Sequence, residues 1–323
     1  MSDRELQNHG RGSCPARRCG SRGRVRPALV HRGHGLGRSP AQPGLQSPER
    51  LRVLGGGVYF ICLPCRYVAL RPEFLEYFLA NGLHPELCLD AWSLQNKDNA
   101  WFEGLGNTLA QRGLSCSVHL TYENLHPGSH DRFILDATRL RLKTAFAMAQ
   151  LLNPKLMVGH VDYSQDVYGE DRDGWLERHT ETWADLLDGW PGHPPLYLEN
   201  TFELEPEPVC DAVAALESRG AGICFDVSHW HCFSRGVDKQ DLDKWVECFA
   251  PYLRHLHLHD NDGSSDQHVG MGQGAIPWDQ FFALLQARNL TPSVTFEPHD
   301  EDSLRASLAF MQGHPEWFAP LIS

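Results

Sequence analysis

The stretch from Arg254 to Gly274 reads RHLHLHDNDGSSDQHVGMGQG and concentrates groups able to hold a cation or move a proton. His255, His257 and His259 alternate with Leu256 and Leu258, so a strand here turns its imidazoles to one face. Asp260, Asp262, Asp266 and His268 follow, with Gly270, Gly272 and Gly274 behind them, the make-up of a flexible loop carrying further ligands. The run reads as one wall of a metal site. Taken alone, hydrogen-bonded core histidines explain it as well.

Such groups act only if a scaffold brings them together, and from Gly55 onward the chain has a regular one. Short β-type runs alternate with helical ones: VYFICL, PELCLDA, LSCSVHL, KLMVGHV, PLYLEN, GICFDV, LRHLHLHD and SVTFEP each precede a helix-like segment. Strands alternating with helices imply parallel pairing through right-handed crossovers. Eight such units over residues 55–323 match a single α/β domain, a (β/α)8 TIM barrel of about 250 residues. An open doubly wound sheet would carry a glycine-rich phosphate turn after its first strand. Here Gly55, Gly56 and Gly57 precede that strand, and the later GMGQG lacks the spacing.

A barrel places functional groups at the C-terminal ends of its strands. His119 closes the third run, His160 the fourth, Glu199 the fifth, and Asp226 the sixth, with His229 just beyond; the seventh carries His257, with Asp266 and His268 in its loop, and Glu297 ends the eighth. Singly, His119 or His160 reads as a core or capping histidine, and Glu199 as a strand-end carboxylate bonded to its loop. Together at one mouth they need shared cations, because a buried charge without a partner costs on the order of several kcal/mol.

The bulk of the chain narrows the partners. The 323 residues carry a net charge of −12, but the segment through Arg52 carries +8, leaving −20 for the rest, a poor match for a nucleic-acid backbone. Residues 1–54 are Arg-, Gly- and Pro-rich and without lysine, and are expected to form a disordered N-terminal extension. The extension has no apolar h-region of a secretory leader, and an RNA-binding tail is a weaker reading of it than an uninformative one. No apolar run approaches the roughly 20 residues of a membrane helix, and the ten cysteines are scattered, so no disulfide staples and a cytoplasmic setting are expected. Cys62 and Cys65, like Cys14 and Cys19, lack the second pair that a zinc knuckle needs. Trp230 and Trp101 are candidate sugar-stacking rings, although aromatics near loops more often serve packing.

The runs LYLEN, CFDVSHWH, HLHLHDNDGSSDQHVGMGQGAIPW and VTFEP, in this order, resemble the xylose isomerase-like barrel superfamily, which includes sugar phosphate isomerases and epimerases and, in another branch, endonuclease IV. The resemblance spans Gly55 to about Pro315 and is most specific in its last half. In the isomerase branch it implies one manganese, cobalt or magnesium ion held by Glu199, Asp226, His257 and Glu297. Glu199 and Glu297 then also act as acid and base, and His229 binds a substrate oxygen. In the endonuclease IV branch it implies three zinc ions: one on His119, His160 and Glu199, a second on Glu199, Asp226, His257 and Glu297, a third on His229, Asp266 and His268. Asp262, Gly263 and Ser264 stand where the resembled epimerases hold an arginine for substrate hydroxyls, and the acidic body disfavours duplex DNA. In this frame His257 is the strand ligand, with His255 and His259 as its supports.

The expected protein is a metal-dependent isomerase or epimerase acting on a small sugar or sugar phosphate. The alternative is a multi-zinc phosphoesterase for a small substrate, and a non-catalytic ligand-binding barrel comes third. A homo-oligomer is left open.

Overall fold

The structure, a computed structural model, describes residues 58–322. The expectations for residues 1–54, including Cys14 and Cys19, lie outside the described residues. Eight strands are present: β1 (Phe60–Pro64), β2 (His84–Cys88), β3 (Ser117–His119), β4 (Met157–His160), β5 (Leu196–Glu199), β6 (Ala221–Asp226), β7 (Leu253–Leu258) and β8 (Ser293–Phe296). They pair in parallel in chain order, and β8 returns to β1 through Phe60 opposite Thr295 and Ile61 opposite Phe296, closing the barrel. Each strand falls on a run read from the sequence and extends past it by at most one residue.

The strands are apolar toward the helical layer because every one is covered on that side. Phe102, Phe146, Trp183, Trp245, Phe249, Phe281 and Phe282 form that covering layer, all buried in one core. The crossover helices begin where the sequence supplies caps: Asp98 accepts from the Trp101 amide, Asp131 from Phe133 and Ile134, and Asp300 from Ser303. Among the described residues no helix is long and apolar enough to cross a membrane.

Short helices after several strands were not readable, being too brief to show a 3.6-residue period. One of them shapes the site. Val227–Cys232 starts directly off β6, with the Asp226 side chain accepting from the His229 amide at 2.8 Å, so the strand-end carboxylate also caps the helix that carries His229.

One thiol expectation, the absence of disulfides, needs revision. Cys210, on helix Glu207–Ala214, and Cys248, on helix Leu242–Phe249, are joined as a disulfide, their Cα atoms 6.7 Å apart. The bond links two outer helices 38 residues apart, a proximity set by the barrel that spacing does not reveal. Cys62 has Cys88 as its neighbour, sulfur to sulfur 3.0 Å, while Cys65 is buried at the start of the next helix.

Gly159, one residue before His160 on β4, shows how tightly the wall and the site are linked. A Cβ there would lie 2.6 Å from Trp183 Cη2, and the Trp183 ring is buried and tied to His179 Nε2 at 3.0 Å. Gly159→Ala should therefore destabilise the fold by about 1–3 kcal/mol through overpacking. Urea unfolding should show a lower midpoint with an unchanged slope; an unchanged midpoint would mean that the indole can yield.

Candidate metal centre

Glu199 is the hub of the barrel mouth. It is 1% exposed at the end of β5, and imidazoles approach it from four other segments. His119 Nε2 lies 3.0 Å and His160 Nε2 3.3 Å from its Oε2, whereas His229 Nδ1 at 3.1 Å and His257 Nδ1 at 3.4 Å face Oε1. Parallel register explains part of this: His160 pairs with Glu199 across β4 and β5, and Asp226 with His257 across β6 and β7.

Glu297, just beyond β8, reaches the same point from the other side, its Oε1 3.3 Å from His257 Nδ1. That nitrogen has no hydrogen-bond partner and is buried between two carboxylates, the surroundings expected of a cation ligand. Asp226 completes the inner group, 3.5 Å from His229 Nδ1 and 3.1 Å from His259 Nε2.

A second group lies outward of it. Asp266 Oδ2 is 2.9 Å from His268 Nε2 and 3.6 Å from His229 Nε2. His268 sits in the left-handed region, φ 52°, uncommon for a side-chain-bearing residue, with its Nδ1 2.8 Å from the Glu297 carbonyl oxygen. The loop that carries both is folded around Asp260, which accepts from the amides of Asn261, Gly272 and Ile276 and from the Trp278 indole at 2.8–3.2 Å.

The electrostatics follow from this crowding. Burial would raise the Glu199 carboxyl, but His257 and His160 outweigh it and hold it well below the usual carboxylate range. Burial would lower His268, yet Asp266 lifts it to about 9. Burial likewise opposes protonation of His229, and Asp226, Asp266 and Glu199 drive it well above the ordinary histidine value. His160 shows the reverse, kept low by burial. Glu199 thus depends on nearby positive charge, a need that a divalent cation would also meet.

The structure brings together His119, His160, Glu199, Asp226, His229, His257, Asp266, His268 and Glu297. One sequence expectation changes. Trp230 is 1% exposed, with Gly236 packed against the ring and its indole N–H on Asp241 at 3.0 Å, so it presents no face to a sugar. His259 is placed as the expected support and is also ligand-competent. It bonds Asp226, stacks on His268 at 3.8 Å, and belongs to two ligand-competent groups, one with Asp226 and His229 and one with Asp266 and His268. His255 is a support, its ring nitrogens 2.7 Å from the Ser293 and 2.9 Å from the Thr295 hydroxyl oxygens.

Residues the sequence reading passed over include Asn200 and Glu86. Asn200 accepts from the Asp226 amide and donates to its carbonyl, locking β5 to β6 beneath the ligands. Glu86 is a fully buried carboxylate inside β2. Its signal was a lone charge within the otherwise apolar PELCL.

These features define a (β/α)8 barrel with a histidine and carboxylate centre at its C-terminal mouth. A family model described as xylose isomerase-like TIM barrel matches residues 81–314, and the chain belongs to that family. Two curated relatives are uncharacterized proteins: one of Methanocaldococcus jannaschii, 24% identical over 176 residues (52% of this chain, 59% of that one), and one of Sinorhizobium fredii, 25% identical over 186 residues (54% and 57%). The chain thus spans less than three fifths of the length of either. Among solved structures, a Thermus thermophilus protein soaked with zinc chloride has TM-score 0.61 at 27% identity, covering 79% of this chain and 96% of that one. A D-tagatose 3-epimerase-like protein has TM-score 0.64 at 18% identity (80% and 97%), and the endonuclease IV of Thermus thermophilus has 0.57 at 19% (79% and 99%). The last two likenesses concern the fold.

The loops that carry the ligands also hold a titrating lock. Glu203, fully buried after β5, accepts from the Tyr163 amide at 2.9 Å and the Thr201 amide at 2.5 Å, tying the β4 and β5 loops together. Burial raises its carboxyl from 4.5 to about 7, with those amides opposing. Between these values the folded protein keeps a proton that the unfolded chain has lost, so stability falls as pH rises through this window. The loss is on the order of 3 kcal/mol once pH exceeds the folded value. Relative to wild type, Glu203→Gln should gain stability by that amount between pH 5 and 8 in urea titrations; a pH-independent difference would assign the slope elsewhere.

Proposed function

We propose that the protein is a divalent-cation-dependent isomerase or epimerase of a small sugar or sugar phosphate. The observation that carries this reading is the pair of carboxylates, Glu199 and Glu297, from strands β5 and β8, facing each other across His257 Nδ1 at 3.4 and 3.3 Å. Glu199, Asp226, His257 and Glu297 would hold the ion. Bound there, a divalent cation polarises the carbonyl and hydroxyl oxygens of an open-chain sugar and so acidifies the C–H between them. Glu199 and Glu297 approach from opposite sides of the barrel, so one can take that proton while the other returns one to the opposite face. His229, whose Nε2 points outward toward Asp266, is placed to bond a substrate oxygen.

A second reading has its own support. The outer group of His229, Asp266 and His268, and the group of His119, His160 and Glu199, give the chain enough ligands for more than one ion. Clusters of this kind suit hydrolysis of a small phosphoester, where closely spaced positive charge offsets the phosphoryl oxygens. The fold likeness to endonuclease IV and the zinc-soaked Thermus protein are compatible with it. The net charge of −12 over the chain favours a small substrate over duplex DNA in either case.

Metal analysis of the purified full-length protein should give about one tightly held divalent ion per chain, with cation-dependent exchange of a sugar C–H proton into heavy water. Glu297→Gln should lower that exchange by at least about 100-fold, the usual weight of a general acid or base. Close to three zinc ions per chain with cleavage of an aryl phosphodiester, and no exchange, would replace this reading with the hydrolytic one.

A further inference from the structure

Beneath the ligand layer, the barrel interior holds a charge that packing does not explain. Barrel interiors are filled largely by branched apolar side chains, yet β2 points the Glu86 carboxylate inward, fully buried, where Leu would fill the space. Its register sets it between Cys62 of β1 and Ser117 of β3. One oxygen is well anchored: Oε2 accepts from the Ser117 hydroxyl at 2.8 Å and the Thr295 hydroxyl at 2.9 Å. Thr295 spends its proton on Glu86, so its oxygen is free to accept from His255 Nε2 at 2.9 Å. The other oxygen, Oε1, makes no hydrogen bond and lies 3.1 Å from His257 Nε2, an ion-pair contact.

His257 therefore meets carboxylates at both ring nitrogens, with no hydrogen bond formed at either. Nε2 faces a carboxylate that can only accept, which requires a proton on that nitrogen. With a cation bound, Nδ1 would then turn its lone pair to it between Glu199 and Glu297, which lie 3.4 and 3.3 Å away. We propose that Glu86 is the positioning carboxylate of the metal centre: it fixes His257 in the Nε2–H tautomer and turns Nδ1 to the cation. The inference rests on the cation-dependent reading above and assigns a role to a residue which touches neither cation nor substrate. A carboxylate behind a ligating imidazole both orients the ring and raises its basicity.

The anchoring of Oε2 makes the amide variant informative. In Glu86→Gln the amide oxygen is claimed by the Ser117 and Thr295 hydroxyls, both donors, so the amide N–H2 faces His257. The imidazole must then accept at Nε2 and carry its proton on Nδ1, the nitrogen that the cation needs. An almost isosteric change should thus flip one tautomer.

The test uses full-length protein with zinc as the probe. Competition against a chromogenic chelator should show the tightest site weakened about 10–100-fold in Glu86→Gln. Nitrogen-15 NMR of the histidine side chains, with the His257 signals assigned by their loss in His257→Gln, should report Nε2–H in the zinc-loaded wild type and Nδ1–H in metal-free Glu86→Gln. Wild-type affinity in Glu86→Gln, with the tautomer unchanged, would overturn the role of Glu86 while leaving the metal reading intact. If the variant does not fold, the wild-type spectrum decides: His257 protonated at Nδ1 in the zinc-loaded protein would overturn the proposal. Wild-type protein that takes up no zinc would overturn the cation-dependent reading and this inference with it.

Discussion

The mouth of this barrel is organised by the cost of burying Glu199. An ionised carboxylate away from water must be compensated, and here the compensation comes from imidazoles on β3, β4 and β7 and on the helix after β6. Those imidazoles are in turn held by other acids: His257 by Glu86 and Glu297, His229 by Asp226 and Asp266. Removing one member strands its neighbours, so the set behaves as a unit. A divalent cation is the simplest single charge that satisfies such a ring of acceptors, which is why the chemistry proposed for the site and the stability of its surroundings rest on the same groups.

Much of this was legible from residue types alone. A strand that ends in a carboxylate or an imidazole stands out against an apolar run, and the barrel turns "end of a strand" into "same mouth", so His119, His160, Glu199, Asp226, His257 and Glu297 could be gathered without any contact being known. The loop residues Asp266 and His268 were found by their spacing behind β7. What stayed hidden was whatever depends on the third dimension. Trp230 looked like a loop aromatic, but the short helix from Val227 turns its ring inward onto Gly236. The pairing of Cys210 with Cys248 joins two outer helices, and nothing in either local sequence anticipates it. Glu86 was visible as a residue but not as a participant, and His259 was read only as a support. The first is one charge in a short apolar strand, and the second sits just past the end of β7, where a support and a ligand have the same sequence appearance.

The centre has an inner and an outer layer with different structural sureties. Glu199, Asp226 and His257 are on or at the ends of strands fixed by backbone register, and Glu297 follows β8 directly. Asp266 and His268 depend on a loop, and that loop depends on Asp260, whose two oxygens gather three amides and an indole N–H, with Gly274 close enough that a Cβ would meet Oδ1 at 2.3 Å. A short antiparallel bridge between Asp260 and Val269 closes the near half of it.

This division bears on which chemistry the protein performs. Proton transfer between carbons needs only the inner layer: two opposed carboxylates, a cation and a histidine for orientation. Hydrolysis through several ions needs the outer layer as well, and so needs the loop to be as rigid as the barrel. His268, held at positive φ and stacked between His259 and His299, carries conformational strain that its surroundings must offset. In the isomerase reading the outer layer's role is to orient His229 and the substrate oxygen through Asp266; in the hydrolytic reading it is a second cation seat. The same three side chains serve both, and the number of ions they attract is what separates the two.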